Sequence, residues 1–175
     1  MPATSSNDLL SDAVHRIGET VHHAARGLGE DDLAYRPVGK GPETAANSIA
    51  WLLWHSARVM DSQLATMAGQ EEVWDSNGWA AKFDLPLEDR DSTGYGHSSQ
   101  EVAMVRASES LLTGYYDAVQ RRMLSYLGNL KEADYDEIAD PSYDPPVTRA
   151  VRLVSIINDC TQHVGQATYV RGLLS

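Results

Sequence analysis

Apolar residues recur at steps of three and four through four separate stretches of this chain, and that periodicity limits what it can fold into. Residues 7–28 carry Leu10, Ala13, Val14, Ile17, Val21, Ala24 and Leu28 on the repeat. Residues 47–68 carry Ile49, Leu52, Leu53, Ala57, Met60, Leu64 and Met67. Residues 99–128 add Val102, Val105, Leu112, Tyr115, Tyr116, Val119, Met123, Tyr126 and Leu127, and residues 147–173 add Val151, Val154, Ile157, Val164, Ala167 and Val170. Each series is that of an α-helix with one face turned inward. Ser6 or Asn7 is placed to cap the first helix and Ser98 or Ser99 to open the third, with Glu101 in its first turn. Gly27, Gly29 and Gly69 stand where helices should stop. Four long amphipathic helices predict an all-α four-helix bundle. At 175 residues the chain is long enough for one core, so residues 1–175 are read as a single domain.

The connections differ in kind. Residues 29–46 form a turn-rich linker with Pro37, Gly39, Gly41 and Pro42. Residues 70–98 make a long irregular connection between the second and third helices and hold Trp74, Trp79, Phe83, Pro86, Gly94, Gly96 and His97. A segment of that length without periodicity marks function, here a lid, with a short helix around 76–83. Residues 129–147 are acidic and contain Pro141, Pro145 and Pro146. No repeat or strand pair stands out.

Fourteen basic against 25 acidic residues give a net charge of −11. That argues against a nucleic-acid partner, which needs a basic patch, and against anionic lipid. No apolar run reaches the ~18 residues of a membrane-spanning helix. The segment Met1-Pro2-Ala3-Thr4-Ser5-Ser6 lacks the basic and apolar regions of a signal peptide, and a lone Cys160 excludes an internal disulfide. Both features suit a reducing cytoplasm.

The candidate chemistry lies in the last helix. Asp159 and His163 are four residues apart, so a helix stacks carboxylate and imidazole on one face. Such a pair is either an ordinary surface contact or two ligands of a metal ion. Ile156, Ile157, Cys160 and Val164 surround it, which points at least one polar group inward, where it needs a partner. His55, on the apolar second helix, is the candidate third ligand or else a satisfied core histidine. Two histidines and one carboxylate leave a coordination position open, as catalytic sites do. Trp51, Arg58, Trp79, His97 and Gln166 are the candidates for substrate contact, Arg58 toward an anionic group. His15, His22 and His23 read as peripheral, and Cys160, beside Asp159, as a small buried hydrophobe and no nucleophile. There is no phosphate-binding glycine loop, serine elbow or paired-cysteine zinc motif.

Two stretches carry a family resemblance. Asn47-Ser48-Ile49-Ala50-Trp51-Leu52-Leu53-Trp54-His55-Ser56-Ala57-Arg58 resembles the second helix of DinB-like proteins. Asp159-Cys160-Thr161-Gln162-His163-Val164-Gly165-Gln166 resembles their last helix, where His-Xaa-Gly-Gln is typical. The resemblance implies a four-helix bundle with a divalent metal on His55, Asp159 and His163. Many relatives have His at the first of the paired positions, and thiol transferases similar to mycothiol-dependent maleylpyruvate isomerase have Glu; Asp159 is one methylene shorter. The activity implied is metal-dependent use of mycothiol or another small thiol against an electrophilic substrate. Zinc is the first metal, with nickel, manganese and iron as alternatives. Metal-dependent hydrolysis and a noncatalytic stress-response bundle are the competing readings. Single-domain relatives also imply a homodimer, for which Tyr115, Tyr116, Val119, Met123 and Tyr126 offer apolar surface on the third helix.

Overall fold

The computed structural model describes residues 4–39 and 45–174, so Gly41 and Pro42 of the first linker and the first three residues lie outside the described residues. Four long helices form the body: α1 (Ser6–Ala25), α3 (Ile49–Ala68), α7 (Glu109–Asn129) and α8 (Arg149–Gly172), with a one-turn α2 (Glu30–Leu33) in the first linker. Each opens on a hydroxyl that accepts a first-turn N–H, from Ser5, Ser48, Ser108 and Thr148 respectively. The α1 cap is thus Ser5, one residue before the expected position, and Asp8 closes a capping box with it. Gly69 ends α3 in the left-handed conformation at φ 61°, which glycine adopts without steric penalty.

Packing fixes the order around the bundle. Helix α3 lies against α7 and α8, and α1 lies against the same two, so α1 and α3 are diagonal. The two helices with the candidate ligands are therefore neighbours. Helix α3 is the central element, since every residue from Ile49 to Asp61 is buried. A helix apolar all round needs a cover on every side. Its outer face is covered by the connection that follows it, which contains α4 (Val73–Ser76) and α5 (Trp79–Phe83) where one short helix was expected. Trp74 and Phe83 of this cover pack on Tyr115 of α7.

Three expectations need correction. The third periodic stretch is two helices, α6 (Ser99–Met104) and α7, because Val105 is extended at ψ 94° and Ser108 starts a new cap. Between α7 and α8 the chain forms a 3-10 turn (Glu132–Asp136) and a small antiparallel pair, β1 (Ile138–Asp140) with β2 (Val147–Thr148), where no strands were expected. The aromatic face of α7 is inside the molecule: Tyr115, Tyr116, Val119 and Met123 are fully buried and Tyr126 is half-buried. Those four residues are therefore not available to a second copy, and of the five only Tyr126 keeps partial exposure. No helix among the described residues is long and apolar enough to cross a membrane.

Candidate metal centre

Helices α3 and α8 bring His55, Asp159 and His163 together, with one ligand atom from each within 4.8 Å of the others. The one-turn spacing on α8 sets Asp159 Oδ1 3.5 Å from His163 Nε2. The second α8 group faces His55 across the helix interface, with ring centroids 4.8 Å apart. Two atoms each ~2.0–2.2 Å from a tetrahedral zinc lie roughly 3.3–3.6 Å from one another. The Asp159–His163 separation is long for a hydrogen bond and matches that ligand spacing.

His55 is the buried anchor, 5% exposed. Its Nδ1 lies 2.5 Å from the Thr93 carbonyl oxygen. A carbonyl only accepts, so Nδ1 carries the proton and the Nε2 lone pair is left for a ligand role. The Trp51 ring, one helical turn back, stacks on the imidazole at 4.5 Å and 13° and meets His163 edge-on. On α8, the Oε1 of Gln166 lies 3.5 Å from His163 Nδ1, which leaves Nε2 toward Asp159. The donation of the second His55 N–H to the Thr93 carbonyl is the arrangement common among metal-binding histidines.

Asp159 gives the sharpest sign of a missing partner. Its Oδ2 is buried without a hydrogen bond. A buried carboxylate oxygen without a donor loses its hydration uncompensated. A cation held with the two histidines satisfies it, so the donor set fits a divalent metal. The Asp159 side chain as a whole is 38% exposed, so the cluster lies at the edge of the protein surface.

Protonation follows the same geometry. Burial lowers the His55 pKa and keeps the ring neutral. The carboxylate of Asp159 raises the His163 pKa, and His163 lowers that of Asp159 in return. In the metal-free protein the raised histidine stabilises the fold fully below ~6.5, and that contribution is lost as pH rises through its folded pKa. The lowered aspartate stabilises above ~3.9 and loses its contribution as pH falls through its folded value. Metal binding must displace the His163 proton, so affinity is expected to rise with pH at a slope of about one in log K until that proton is gone. Chelator competition at several pH values between roughly 6 and 8 measures the slope. A flat profile would remove His163 from the ligand set.

The other candidate residues are distributed differently. Arg58 is fully buried and donates to the Ser92 and Asp91 carbonyls, to Glu72 and to Tyr115. Three of these partners lie in the cover segment and the fourth, Tyr115, on α7. Trp79 packs on Tyr115 and against Gly114 of α7, away from the triad. His97 accepts from the Trp51 indole N–H at 3.1 Å and touches Ser92 at 2.9 Å. Cys160 is fully buried, its thiol pushed well up by burial, and it points at the Ser56 carbonyl. His15 and His23 are exposed, while half-exposed His22 pairs with Asp117 at 2.8 Å. The carbonyl of Thr93 was not foreseen, because a backbone acceptor has no residue signature.

A family description of the DinB superfamily matches residues 13–167. The chain belongs to the DinB superfamily. The crystal structure of a conserved protein from Enterococcus faecalis superposes with a TM-score of 0.87 at 33% identity, over 97% of this chain and 96% of that one. No match is found among curated proteins. DinB-superfamily membership accounts for the bundle, and the triad on α3 and α8 is a cluster capable of coordinating a divalent metal.

Proposed function

We propose that His55, Asp159 and His163 hold one divalent metal ion and that this DinB-superfamily protein is a metal-dependent thiol transferase or isomerase acting on a small electrophile. The observation that carries the reading is the unpartnered buried oxygen of Asp159 within a two-histidine, one-carboxylate cluster whose α8 residues are partly exposed. Three protein ligands leave a position free, whereas structural zinc sites use four. Two imidazoles with a carboxylate suit zinc first, then nickel, manganese or iron. An ion at this position favours thiolate over thiol in a sulfur ligand, as it does for coordinating cysteines.

The chain contributes the rest. Its only cysteine is buried and protonated, so the sulfur nucleophile has to come from solution, as mycothiol or a comparable small thiol. Thr93 holds His55 from behind, and Trp51 walls the inner side of the site. Asp159, His163 and Gln166 form the solvent side, where thiol and electrophile enter. The acidic surface disfavours polyanionic substrates and places this chemistry on small molecules.

The test is cobalt-loaded protein titrated with mycothiol. A sulfur-to-metal charge-transfer band in the near ultraviolet is the expected result, absent from the His163→Ala variant. A cobalt site that shows no such band with mycothiol or any other small cellular thiol overturns the thiol reading. Metal-activated water, and so hydrolysis, is then the next reading to assay.

A further inference from the structure

Behind His55 the connection between α5 and α6 is closed into a ring of hydrogen bonds whose logic is fixed by donor type. The indole N–H of Trp51 can only donate, and it points at His97 Nδ1 at 3.1 Å. His97 must therefore present its Nδ1 lone pair and carry its proton on Nε2. That N–H lies 2.9 Å from Ser92 Oγ, which also accepts the backbone N–H of Gly94 at 3.1 Å. Between Ser92 and Gly94 stands Thr93, whose carbonyl takes the Nδ1–H of His55. The chain from Trp51 through His97, Ser92 and Thr93 thus returns to α3 one turn from where it left.

Close packing supports the same assignment. The His97 ring stacks on Trp54 at 5.7 Å and 23°. Gly94 has φ +92°, and a Cβ there would lie 2.9 Å from His55 Nδ1 and from the Trp54 ring. Only glycine lets the backbone pass this close to the imidazole. Arg58 holds the carbonyls of Asp91 and Ser92 from the other side, so the Thr93 carbonyl has two independent supports.

We infer that His97 is a positioning residue that sets the tautomer and orientation of His55 through the Ser92–Thr93–Gly94 backbone. In this role it acts through His55 and not on the reacting atoms. The metal consequence rests on the proposed role of His55 as a ligand; the effect on the imidazole does not. With the ring intact, His55 keeps its proton on Nδ1 and its Nε2 toward Asp159 and His163. Without it, the Thr93 carbonyl keeps only the support that Arg58 gives through Asp91 and Ser92, and the imidazole can rotate or exchange tautomers.

Two variants and two readouts test this. His97→Phe fills the stacking position on Trp54 but removes both hydrogen bonds. His97→Gln keeps one acceptor and one donor on a planar group. Nitrogen-15 chemical shifts of His55 in metal-free protein are expected to show a fixed Nδ1–H form in the wild type, a tautomer mixture in His97→Phe and substantial recovery in His97→Gln. Zinc affinity, measured by chelator competition, is expected to fall about 10–100-fold in His97→Phe and to recover in His97→Gln. A folded His97→Phe with the wild-type tautomer and wild-type zinc affinity overturns the inference. Wild-type protein that takes up no zinc overturns the ligand reading instead, and the nitrogen shifts still decide whether His97 positions His55.

Discussion

Protein purified without an affinity tag is expected to carry about one divalent ion per chain, and His163→Ala to carry almost none. Loss of an outer partner weakens metal sites about 10–100-fold, so loss of a ligand should exceed about 100-fold. His163 is the cleaner choice, because it lies at the edge of the site with 19% of its side chain exposed, although it also meets Trp51 and His55 edge-on. Replacing His55, stacked under Trp51 and 5% exposed, would mix ligand loss with a cavity. Asp159→Ala should behave like His163→Ala. Asp159→Glu should retain metal, since it keeps the carboxylate with one more methylene. A chelator adds an independent measure: at a free-metal concentration of about 1,000 Kd, binding stabilises the fold by about 4.1 kcal/mol. Metal removal should then lower the wild-type melting temperature by roughly 8–16 °C and leave His163→Ala unmoved. Equal metal content in the two proteins would exclude the proposed centre.

What the residues alone disclosed follows from which interactions are local. Asp159 and His163 share a helix, so their spacing already places them on one face. The apolar steps of the four long helices are local too, and all four form. The order of the helices around the bundle depends on long-range packing, so the meeting of His55 with the α8 pair needed the structure. The break at Val105 was masked by apolar positions that kept their period across it; the signal was Ser108 followed by Glu109, a cap read instead as helix interior. The same limit explains Arg58. Its helical face was legible, but its acceptors are carbonyls of Asp91 and Ser92, more than thirty residues away. The apolar surplus on α7 was real, yet Trp74, Trp79 and Phe83 of the cover segment account for part of it.

Asp61→Ala is expected to be the most destabilising single change away from the metal cluster. Asp61 is fully buried on α3 and accepts the backbone N–H groups of Val73 and Trp74, at 2.8 and 2.7 Å, and the hydroxyl of Tyr115 at 2.9 Å. Burial raises the Asp61 pKa and these three donors pull it back. The residue therefore fastens both α4 and α7 to α3. Arg58 and Arg122 stand 3.9 Å away, so their charges face the same carboxylate. Removal leaves three buried donors without an acceptor, at about 1–3 kcal/mol each. Arg58 keeps Glu72, so its charge is not stranded. A loss of at least about 3 kcal/mol follows, or a fall of roughly 6–12 °C in melting temperature for a domain of this size. Asp61→Asn retains one acceptor oxygen and should lose less. Because the cover that Asp61 anchors at Val73 and Trp74 continues to Thr93, Asp61→Ala should also weaken metal binding, whereas His163→Ala, which loses one partly exposed ion pair, should cost much less metal-free stability than Asp61→Ala. Thermal unfolding of both variants in chelator separates the two roles, and an Asp61→Ala midpoint within about 2 °C of the wild type would show that the cover is held by its other contacts.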